Sequence, residues 1–180
     1  MPKASSRKLD FEVDKLTNSI EEAVTGAKIE TRVVPLGSMD SKRLSRLKWD
    51  FDWGLELVYP RREVYALLTE DDPLTLQGLI SIEEEYDHMY MHLLEAAPTN
   101  RGRGRKYEGV AGNLVAFLCK KSFERGHEGN IAFESKTRLI EHYKTTLGAQ
   151  LIAGTRMLIE TSDARRLVTQ YFPKFEYDRL

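Results

Sequence analysis

The feature that most constrains this chain is a loop rich in glycine and arginine that runs directly into an amphipathic helix, within residues 98–125. Val110, Leu114 and Leu118 recur at helical spacing and predict a helix that begins close to Gly109. The first backbone N–H groups of a helix lack intrahelical partners and carry the positive end of its dipole. The stretch therefore indicates a site for an anion.

Small residues and positive charges surround this helix start. Gly109, Ala111 and Gly112 keep the backbone accessible to a ligand. The alternative is a flexible basic loop followed by an ordinary helix, because short glycine motifs are weak evidence. A cluster of basic side chains suits a pyrophosphate better than a single carboxylate. The basic residues before the helix are Arg101, Arg103, Arg105 and Lys106.

The flanking segments place the loop between two strands. Residues 89–97 are expected to form a strand that ends at Pro98, residues 129–134 the next strand, and residues 137–147 a helix. This order resembles the GNAT superfamily of acyl-CoA-dependent N-acyltransferases. In that family the turn reads Gln or Arg, two residues, Gly, one residue, then Gly or Ala. Residues 106–111, KYEGVA, match it with lysine in the first position.

The resemblance implies an α+β fold, with a mixed, mostly antiparallel central sheet and helices on both faces. It covers residues 29–160, which are expected to be the acyltransferase domain. Residues 1–28 are expected to be a tail and an additional helix that runs from Asp10 to Gly26, and residues 161–180 a helix and tail packed on the same domain. The other expected elements are a strand at 29–36, a helix from Asp40 to about Gly54, strands at 63–69 and 75–86, and a single strand at 150–160.

The resemblance also implies which residues hold an acyl-CoA co-substrate. Backbone amides near Ala96 and Ala97 are the expected donors to the thioester carbonyl. Lys136 stands where the family often has an asparagine that contacts the pantetheine arm. The complete set of expected acyl-CoA-binding residues is Ala96, Ala97, Arg105, Lys106, Tyr107, Gly109, Val110, Ala111, Gly112 and Lys136.

A proton donor is expected on the helix LIEHYKTTLGA. Tyr143 resembles the tyrosine with which many GNAT enzymes protonate the departing thiolate. The interval from Tyr143 to Gly148 is one residue longer than in the family, and Ala149 replaces an aromatic residue. The alternative is a core position for Tyr143, since it lies at helical spacing with Leu139 and Leu147.

Transfer to an amine also needs a group that accepts the ammonium proton. Glu95 is the first candidate, because Met89, Met91 and Leu93 would share its side of a regular strand and give it apolar surroundings. The family often has a glutamate on this strand. The alternative is a glutamate paired with an arginine of the RGRGR loop. His92, on the opposite side of the strand, is the lesser candidate.

The stretch WDFDWG, residues 49–54, is the candidate acceptor site. Trp49, Asp50 and Trp53 offer aromatic faces and a carboxylate, both of which favour a cation. The alternative is that the aromatic rings fill the core while the aspartates face water. Further carboxylates at Glu83, Glu84 and Asp87 would also favour a cationic amine, either a small molecule or a lysine or N-terminus of a protein. The acceptor itself is left open.

Composition excludes several classes of protein. The 27 basic and 28 acidic residues leave a formal net charge of −1, so no global field draws the chain to nucleic acid. The single cysteine, Cys119, excludes an internal disulfide and fits a reducing compartment. No apolar run reaches the length of a membrane span, and a cytoplasmic protein is expected. His88 and His92 lie in a strand pattern, where their spacing does not suit one metal ion, and no metal is expected.

The sequence therefore predicts an acetyl-CoA-dependent N-acetyltransferase that transfers the acetyl group directly to a primary amine. A non-catalytic CoA-binding domain is one alternative. A nucleic-acid-binding module is the other, in which RGRGRK contacts phosphate and Tyr107 stacks on a base; the near-zero net charge argues against it. The additional terminal helices could pack across a homodimer.

Overall fold

The structure, a computed structural model, describes residues 8–179, which form ten strands and five α-helices. The strands are β1 (Ile20–Glu22), β2 (Lys28–Ile29), β3 (Thr31–Leu36), β4 (Arg62–Thr69), β5 (Gly78–Glu84), β6 (Met89–Ala96), β7 (Tyr107–Glu108), β8 (Ile131–Glu134), β9 (Gln150–Ala153) and β10 (Arg156–Ile159). The helices are α1 (Ser41–Leu44), α2 (Trp53–Val58), α3 (Val110–Glu124), α4 (Ile140–Leu147) and α5 (Thr161–Tyr171).

A seven-stranded sheet in the order β3-β4-β5-β6-β8-β10-β9 forms the centre of the fold. Every neighbouring pair in it is antiparallel except β6 and β8, which run parallel. A smaller sheet, in the order β2-β1-β7, joins the N-terminal part of the chain to the residues just before α3. The expected α+β architecture with a mostly antiparallel sheet is confirmed.

Apolar side chains cover both faces of the central sheet. Along β4, Leu67 joins the larger core, which contains the buried residues of α3 and α5, whereas Ala66 and Leu68 join the smaller core with Leu44 of α1 and Trp53 of α2. Successive strand residues point to opposite faces, so helices pack on both sides of the sheet. The prediction of helices on both faces is confirmed.

A β-bulge in β6 changes which face its last residues occupy. Ile82 of β5 pairs with Met91 and Ser81 pairs with Leu93, so His92 is the additional residue on β6. Met91 lies in the larger core and Leu93 in the smaller one. Because a bulge shifts the alternation by one residue, the prediction that Glu95 shares a face with Met89 and Met91 is wrong.

The prediction of an N-terminal helix from Asp10 to Gly26 is wrong. Residues 10–17 have no regular secondary structure, residue 18 is in a bend, and the chain then forms β1. Val13 and Ile20 are buried, but neither reaches the core from a helix. Tertiary contacts decide the conformation here, because the Val13 and Thr17 N–H groups donate to side chains of α4 and α5 and not to carbonyls one helical turn earlier. Residues 1–7 of the predicted tail lie outside the described residues.

Two other elements differ from the prediction. The helix expected from Asp40 to Gly54 is replaced by α1, which ends at Leu44, and by α2, which Asp52 caps with a side-chain hydrogen bond from the Leu55 N–H. The single strand expected at 150–160 is the hairpin β9–β10, because Gly154, with φ of +54°, reverses the chain. Helices α3 and α5 and strands β4 to β6 agree with the prediction.

Three buried tyrosines predict how stability depends on pH. Burial raises the pKa of Tyr65 to about 12 and also raises the pKa of Tyr143 and Tyr171. A phenol in the unfolded chain loses its proton near pH 10, so above this pH the folded state binds more protons than the unfolded state. The free energy of unfolding is therefore expected to fall as the pH rises from about 10 to about 12. Urea unfolding across this pH range measures the free energy of unfolding. A phenolate absorbance titration in which all eight tyrosines lose their protons together near pH 10 would contradict the expectation.

Candidate active site

The candidate site is the gap between β6 and β8. These parallel strands pair only at their beginning, where Met89 and Tyr90 face Ile131 and Ala132. Strand β6 continues to Ala96 without β8 as its partner. The gap therefore opens toward the C-terminal ends of the two strands, next to the start of α3.

A stretch of the chain's own N-terminal region, residues 9–19, begins in this gap and continues past the start of α3 to α5; it is called the cleft segment below. The Leu9 N–H donates to the Glu134 carbonyl at 2.6 Å, and the Lys136 N–H donates to the Leu9 carbonyl at 3.1 Å. The Ser135 N–H points the other way, to Thr155 beside β10. Because neighbouring strand residues direct their hydrogen bonds to opposite edges, Leu9 occupies the edge of β8 that faces β6.

The start of α3 is an anion site, and a carboxylate of the cleft segment fills it. The Gly109 N–H lies 3.2 and 3.3 Å from the two carboxylate oxygens of Asp14. Arg105 Nη1 lies 3.3 Å from the same carboxylate. Gly109 itself has φ of +85°, and a Cβ built there would lie 2.2 Å from Thr17 Oγ1. The absent side chain is what allows the cleft segment to approach this closely.

The other predicted acyl-CoA ligands at this end contact the same segment or the core. Lys136 and Arg138 both pair with Asp10, and they hold the pKa of that carboxyl below its ordinary value. Gly112 lies against Leu16 and Tyr171, where a Cβ would come within 3.0 Å of Leu16 Cδ2. Val110, Ala111 and Tyr107 are buried in the larger core, and Lys106 is exposed with its Nζ 4.9 Å from the centre of the Tyr107 ring.

Tyr143 lies in the wall of the gap with its hydroxyl directed at the cleft segment. The ring packs edge-on against Phe133 of β8, with ring centres 5.3 Å apart, and the hydroxyl donates to the Phe11 carbonyl. Burial raises the pKa of Tyr143, so the hydroxyl keeps its proton at neutral pH and is a donor. Next to it, His142 Nε2 accepts the Val13 N–H at 2.9 Å. Tyr143 is thus both a core residue and a residue whose polar atom faces the gap.

The end of β6 does not offer both of the predicted amide donors. The Ala97 N–H already donates to the Gln77 carbonyl at 2.9 Å, and Ala96 pairs with Gly78 in the sheet. Asn100 holds the following turn, since its amide donates to the Gln77 carbonyl and its side-chain oxygen accepts the Tyr107 N–H. The Ala97 N–H is therefore engaged within the fold in this arrangement.

Glu95 is fully buried and its oxygens have partners. Trp53 Nε1 donates to Glu95 Oε2 at 2.7 Å, the Asp50 N–H donates to Oε1 at 2.7 Å, and Arg101 Nη1 lies 3.5 Å from Oε1. The contact between Glu95 and Arg101 agrees with the alternative interpretation of the sequence, in which this glutamate pairs with an arginine of the RGRGR loop. In this arrangement Glu95 connects the stretch at 49–53 to the loop that begins at Arg101, and an amine has no access to it.

This network predicts the effect of Glu95→Gln. A glutamine has one oxygen for two N–H donors, so either the Trp53 indole or the Asp50 amide would face an NH₂ group. Leaving a buried donor unsatisfied is expected to lower the free energy of unfolding by about 1–3 kcal/mol, measured by urea unfolding. Glu141→Gln, on the exposed surface of α4, is the control and is expected to change little. A Glu95→Gln protein as stable as the wild type but inactive would instead support a direct role as base.

The stretch at 49–53 combines a buried indole with exposed carboxylates. Trp53 is 2 % exposed and Trp49 packs edge-on against it, with ring centres 6.4 Å apart. Asp50 and Asp52 are exposed, and Asp50 also pairs with Arg101. Beside them is a cavity of about 430 Å³. The residues that line it all lie between positions 41 and 54 and include Trp49, Phe51 and Trp53. The rings belong to the core and the aspartates face water, as in the alternative interpretation.

The remaining acidic candidates lie away from the gap. Glu83 and Glu84 lie at the opposite end of β5, where they pair with Arg61, His92, Arg125 and His127. Asp87 pairs with His88 in the turn before β6. Burial lowers the pKa of His92 and raises the pKa of the fully buried Cys119 thiol. Within residues 8–179 no cluster of three or more metal-ligating side chains is found.

Sequence reasoning missed the residues of the cleft segment that contact the site. Asp14, Phe11 and Thr17 received no role, because a helix was expected there. The polar run DFEVDKLTNS contains two aspartates at an interval of four, which helical spacing accounts for equally well. Only tertiary contacts separate the two arrangements.

Comparison with known proteins identifies the fold. No family model matches the sequence, and no curated protein matches it significantly. Solved structures do match. A probable GNAT-family acetyltransferase from Chromobacterium violaceum is 14% identical, with a TM-score of 0.54 over 91% of this chain and 98% of that chain. The chain has the GNAT fold.

Two further structures with this fold are similar at the same level. AtaTR bound with acetyl-CoA is 13% identical, with a TM-score of 0.54 over 77% of this chain and 98% of that chain. A chimera of spermidine N-acetyltransferase SpeG from Vibrio cholerae and hSSAT is 15% identical, with a TM-score of 0.52 over 76% and 98% of the two chains. Among residues 8–179 of the GNAT-fold chain, no helix is long and apolar enough to cross a bilayer.

The walls of the gap fit an acyl-CoA, although the cleft segment lies between them. The Asp14 carboxylate held by the Gly109 N–H and Arg105 shows that the start of α3 accepts an anion. The Phe11 carbonyl held by Tyr143 shows that the phenol donates into the gap. The edge of β8 that Leu9 occupies would offer the same backbone hydrogen bonds to an extended ligand in its place.

Proposed function

We propose that this protein is an acetyl-CoA-dependent N-acetyltransferase that transfers an acetyl group directly to a primary amine. The observation that supports it most strongly is a single cleft of the GNAT fold that contains the anion site at Gly109 and the hydroxyl of Tyr143. The GNAT-fold structure of AtaTR bound with acetyl-CoA supports the same interpretation.

Acetyl-CoA would supply the activated acetyl group and a thiolate leaving group. Gly109 and Arg105 would bind its phosphates through a backbone N–H and a guanidinium. Lys136 would add a second positive charge, since its ammonium now pairs with Asp10 at the same mouth of the cleft. The proton for the leaving thiolate would come from the Tyr143 hydroxyl, whose pKa is raised by burial.

The acceptor amine would enter from the side of Trp49 and Asp50. Asp50 and Asp52 are exposed, and the Asp50 N–H donates to Glu95, whereas Glu83, Glu84 and Asp87 lie at the other end of the strands. An exposed carboxylate beside aromatic rings favours a cationic amine. Glu95 would position the stretch that carries these groups, and water would carry the ammonium proton away.

The experiment is an assay of free thiol release from acetyl-CoA with three acceptors. These are spermidine, a lysine-containing peptide and an aromatic amine that is uncharged at neutral pH. Turnover of a cationic acceptor well above the uncharged one is expected. Equal turnover of both would remove the basis for a cationic acceptor, and no thiol release with any amine would count against the enzyme and favour a non-catalytic CoA-binding domain.

Internal ion pairs disfavour the nucleic-acid alternative. Of the basic side chains in RGRGRK, Arg101 pairs with Asp50 and Glu95, and Arg105 pairs with Asp14. Arg103 and Lys106 are exposed. A phosphate backbone would have to compete with these carboxylates, so the loop is better described as part of the cleft than as a surface for nucleic acid.

A further inference from the structure

We propose that the cleft segment is an internal competitor of acyl-CoA, which must displace residues 9–14 before it can bind. This inference rests on the proposed function. It starts from the overlap of contacts: three residues expected to bind acyl-CoA, Arg105, Gly109 and Lys136, contact the cleft segment. So does Tyr143, the expected proton donor.

The cleft segment supplies the kind of atom that each wall position would bind in a ligand. At the start of α3 it presents the Asp14 carboxylate, where a phosphate is expected. At Tyr143 it presents the Phe11 carbonyl oxygen. Along β8 it presents the extended backbone of Leu9. Two occupants cannot use the same donors at once, so the segment and acyl-CoA exclude each other.

The contacts also show where the cleft segment would remain attached. The Thr17 N–H donates to the Tyr171 hydroxyl at 2.8 Å, and Gln170 Nε2 donates to the Thr17 carbonyl at 2.9 Å. Helix α5 therefore holds Thr17 outside the β6–β8 gap. Residues 9–14 depend on the walls of the gap instead, through Leu9, Asp10 and Val13. Displacement would turn the chain about its attachment at Thr17.

Displacement has a cost, since Leu9 and Val13 are each 1 % exposed and would lose their place in the core. The apparent affinity for acyl-CoA is reduced by the fraction of molecules in which the cleft is open. A substitution that weakens the contacts of the cleft segment and leaves the residues of the cleft wall unchanged should therefore tighten acyl-CoA binding. Asp14→Ala is such a change, because it removes the carboxylate from Gly109 and Arg105 and leaves both residues in place.

Glu12→Ala is the matched control. Glu12 lies in the same segment and carries the same charge, but it is exposed and its ion-pair partner is Arg138 at 3.7 Å. Both variants remove one negative charge from the mouth of the cleft, so a general electrostatic effect on a polyanionic ligand would appear in both. Only Asp14→Ala removes the competing carboxylate from the anion site.

The test measures CoA binding by calorimetry and amide hydrogen exchange with and without CoA. Asp14→Ala is expected to bind CoA about five- to tenfold more tightly than the wild type, and Glu12→Ala within about twofold. In the wild type, CoA is expected to accelerate exchange at the Leu9 and Val13 amides, which are hydrogen-bonded in the closed cleft.

CoA binding with unchanged or slower exchange at Leu9 and Val13 would overturn the inference and leave the proposed function standing. So would equal effects of Asp14→Ala and Glu12→Ala on the affinity. The exchange experiment uses the wild type and does not depend on how either variant folds. Absence of CoA binding in the wild type and in both variants would overturn the proposed function, and with it the inference that the cleft segment competes with acyl-CoA.

Discussion

Replacing Tyr143 with phenylalanine is expected to lower the rate of acetyl transfer by roughly 10²- to 10⁴-fold, the usual contribution of a positioned general acid. The variant keeps the ring that packs against Phe133 and loses the hydroxyl that faces the cleft. It also loses the hydrogen bond to Phe11, which loosens the cleft segment. The affinity for acetyl-CoA is therefore expected to stay the same or to increase, so the loss appears in kcat rather than KM.

The matched control for this prediction is Tyr171→Phe. Tyr171 is also a buried tyrosine of raised pKa, and its hydroxyl also binds the cleft segment, through the Thr17 N–H. It lies on α5, where its hydroxyl contacts Thr17 and Gly112 and not the Phe11 carbonyl. Steady-state rates of both variants with saturating acetyl-CoA separate the two roles. Equal losses of kcat would mean that Tyr143 acts through the fold alone.

Gly109→Ala is expected to lower the free energy of unfolding by about 3 kcal/mol, as a sum of backbone strain and a steric clash. Gly109 has φ of +85°, a conformation that costs alanine about 1–2 kcal/mol. The new Cβ would also lie 2.2 Å from Thr17 Oγ1 and 3.1 Å from the Ser19 carbonyl oxygen. Urea unfolding of the purified variant measures the loss.

Gly104→Ala separates the two causes. Gly104 has φ of +75°, but no atom lies within 4 Å of the position that a Cβ would take. Alanine there is therefore expected to lower the free energy of unfolding through backbone strain alone, by about 1 kcal/mol. Combining Gly109→Ala with Thr17→Ala should recover part of the loss, because both Thr17 atoms in the clash are removed. If Gly109→Ala were no more destabilising than Gly104→Ala, the cleft segment would not lie against Gly109 as described.

The fold was largely predictable because its strands and long helices have strong local patterns. The meander of β4 to β6 follows from apolar periodicity, and the helix α3 from apolar periodicity and from Gly109 at its start. Residues 10–18 were not predictable in the same way, since their apolar residues recur at helical spacing while the Val13 and Thr17 N–H groups donate to side chains of α4 and α5. Competition between local propensity and long-range pairing is invisible in a single sequence.

The residues of the candidate site could be proposed from the sequence, but the segment that lies against them could not. The sequence indicated Gly109, Arg105, Lys136 and Tyr143, and in the structure all four contact the cleft segment. The placement of Glu95 was not predictable, because it depends on the bulge at His92 that moves the end of β6 to the other face. A bulge of one residue leaves no compositional signal.

The central claim is that the cleft binds acetyl-CoA, and thermal unfolding with and without acetyl-CoA tests it most directly. At about one hundred times its dissociation constant, a ligand specific for the folded state stabilises it by about 2.7 kcal/mol. For a domain of this size that raises Tm by roughly 5–10 °C. Such a shift is expected in the wild type, and a larger one in Asp14→Ala. No shift at millimolar acetyl-CoA, in folded protein free of copurified CoA, would contradict it.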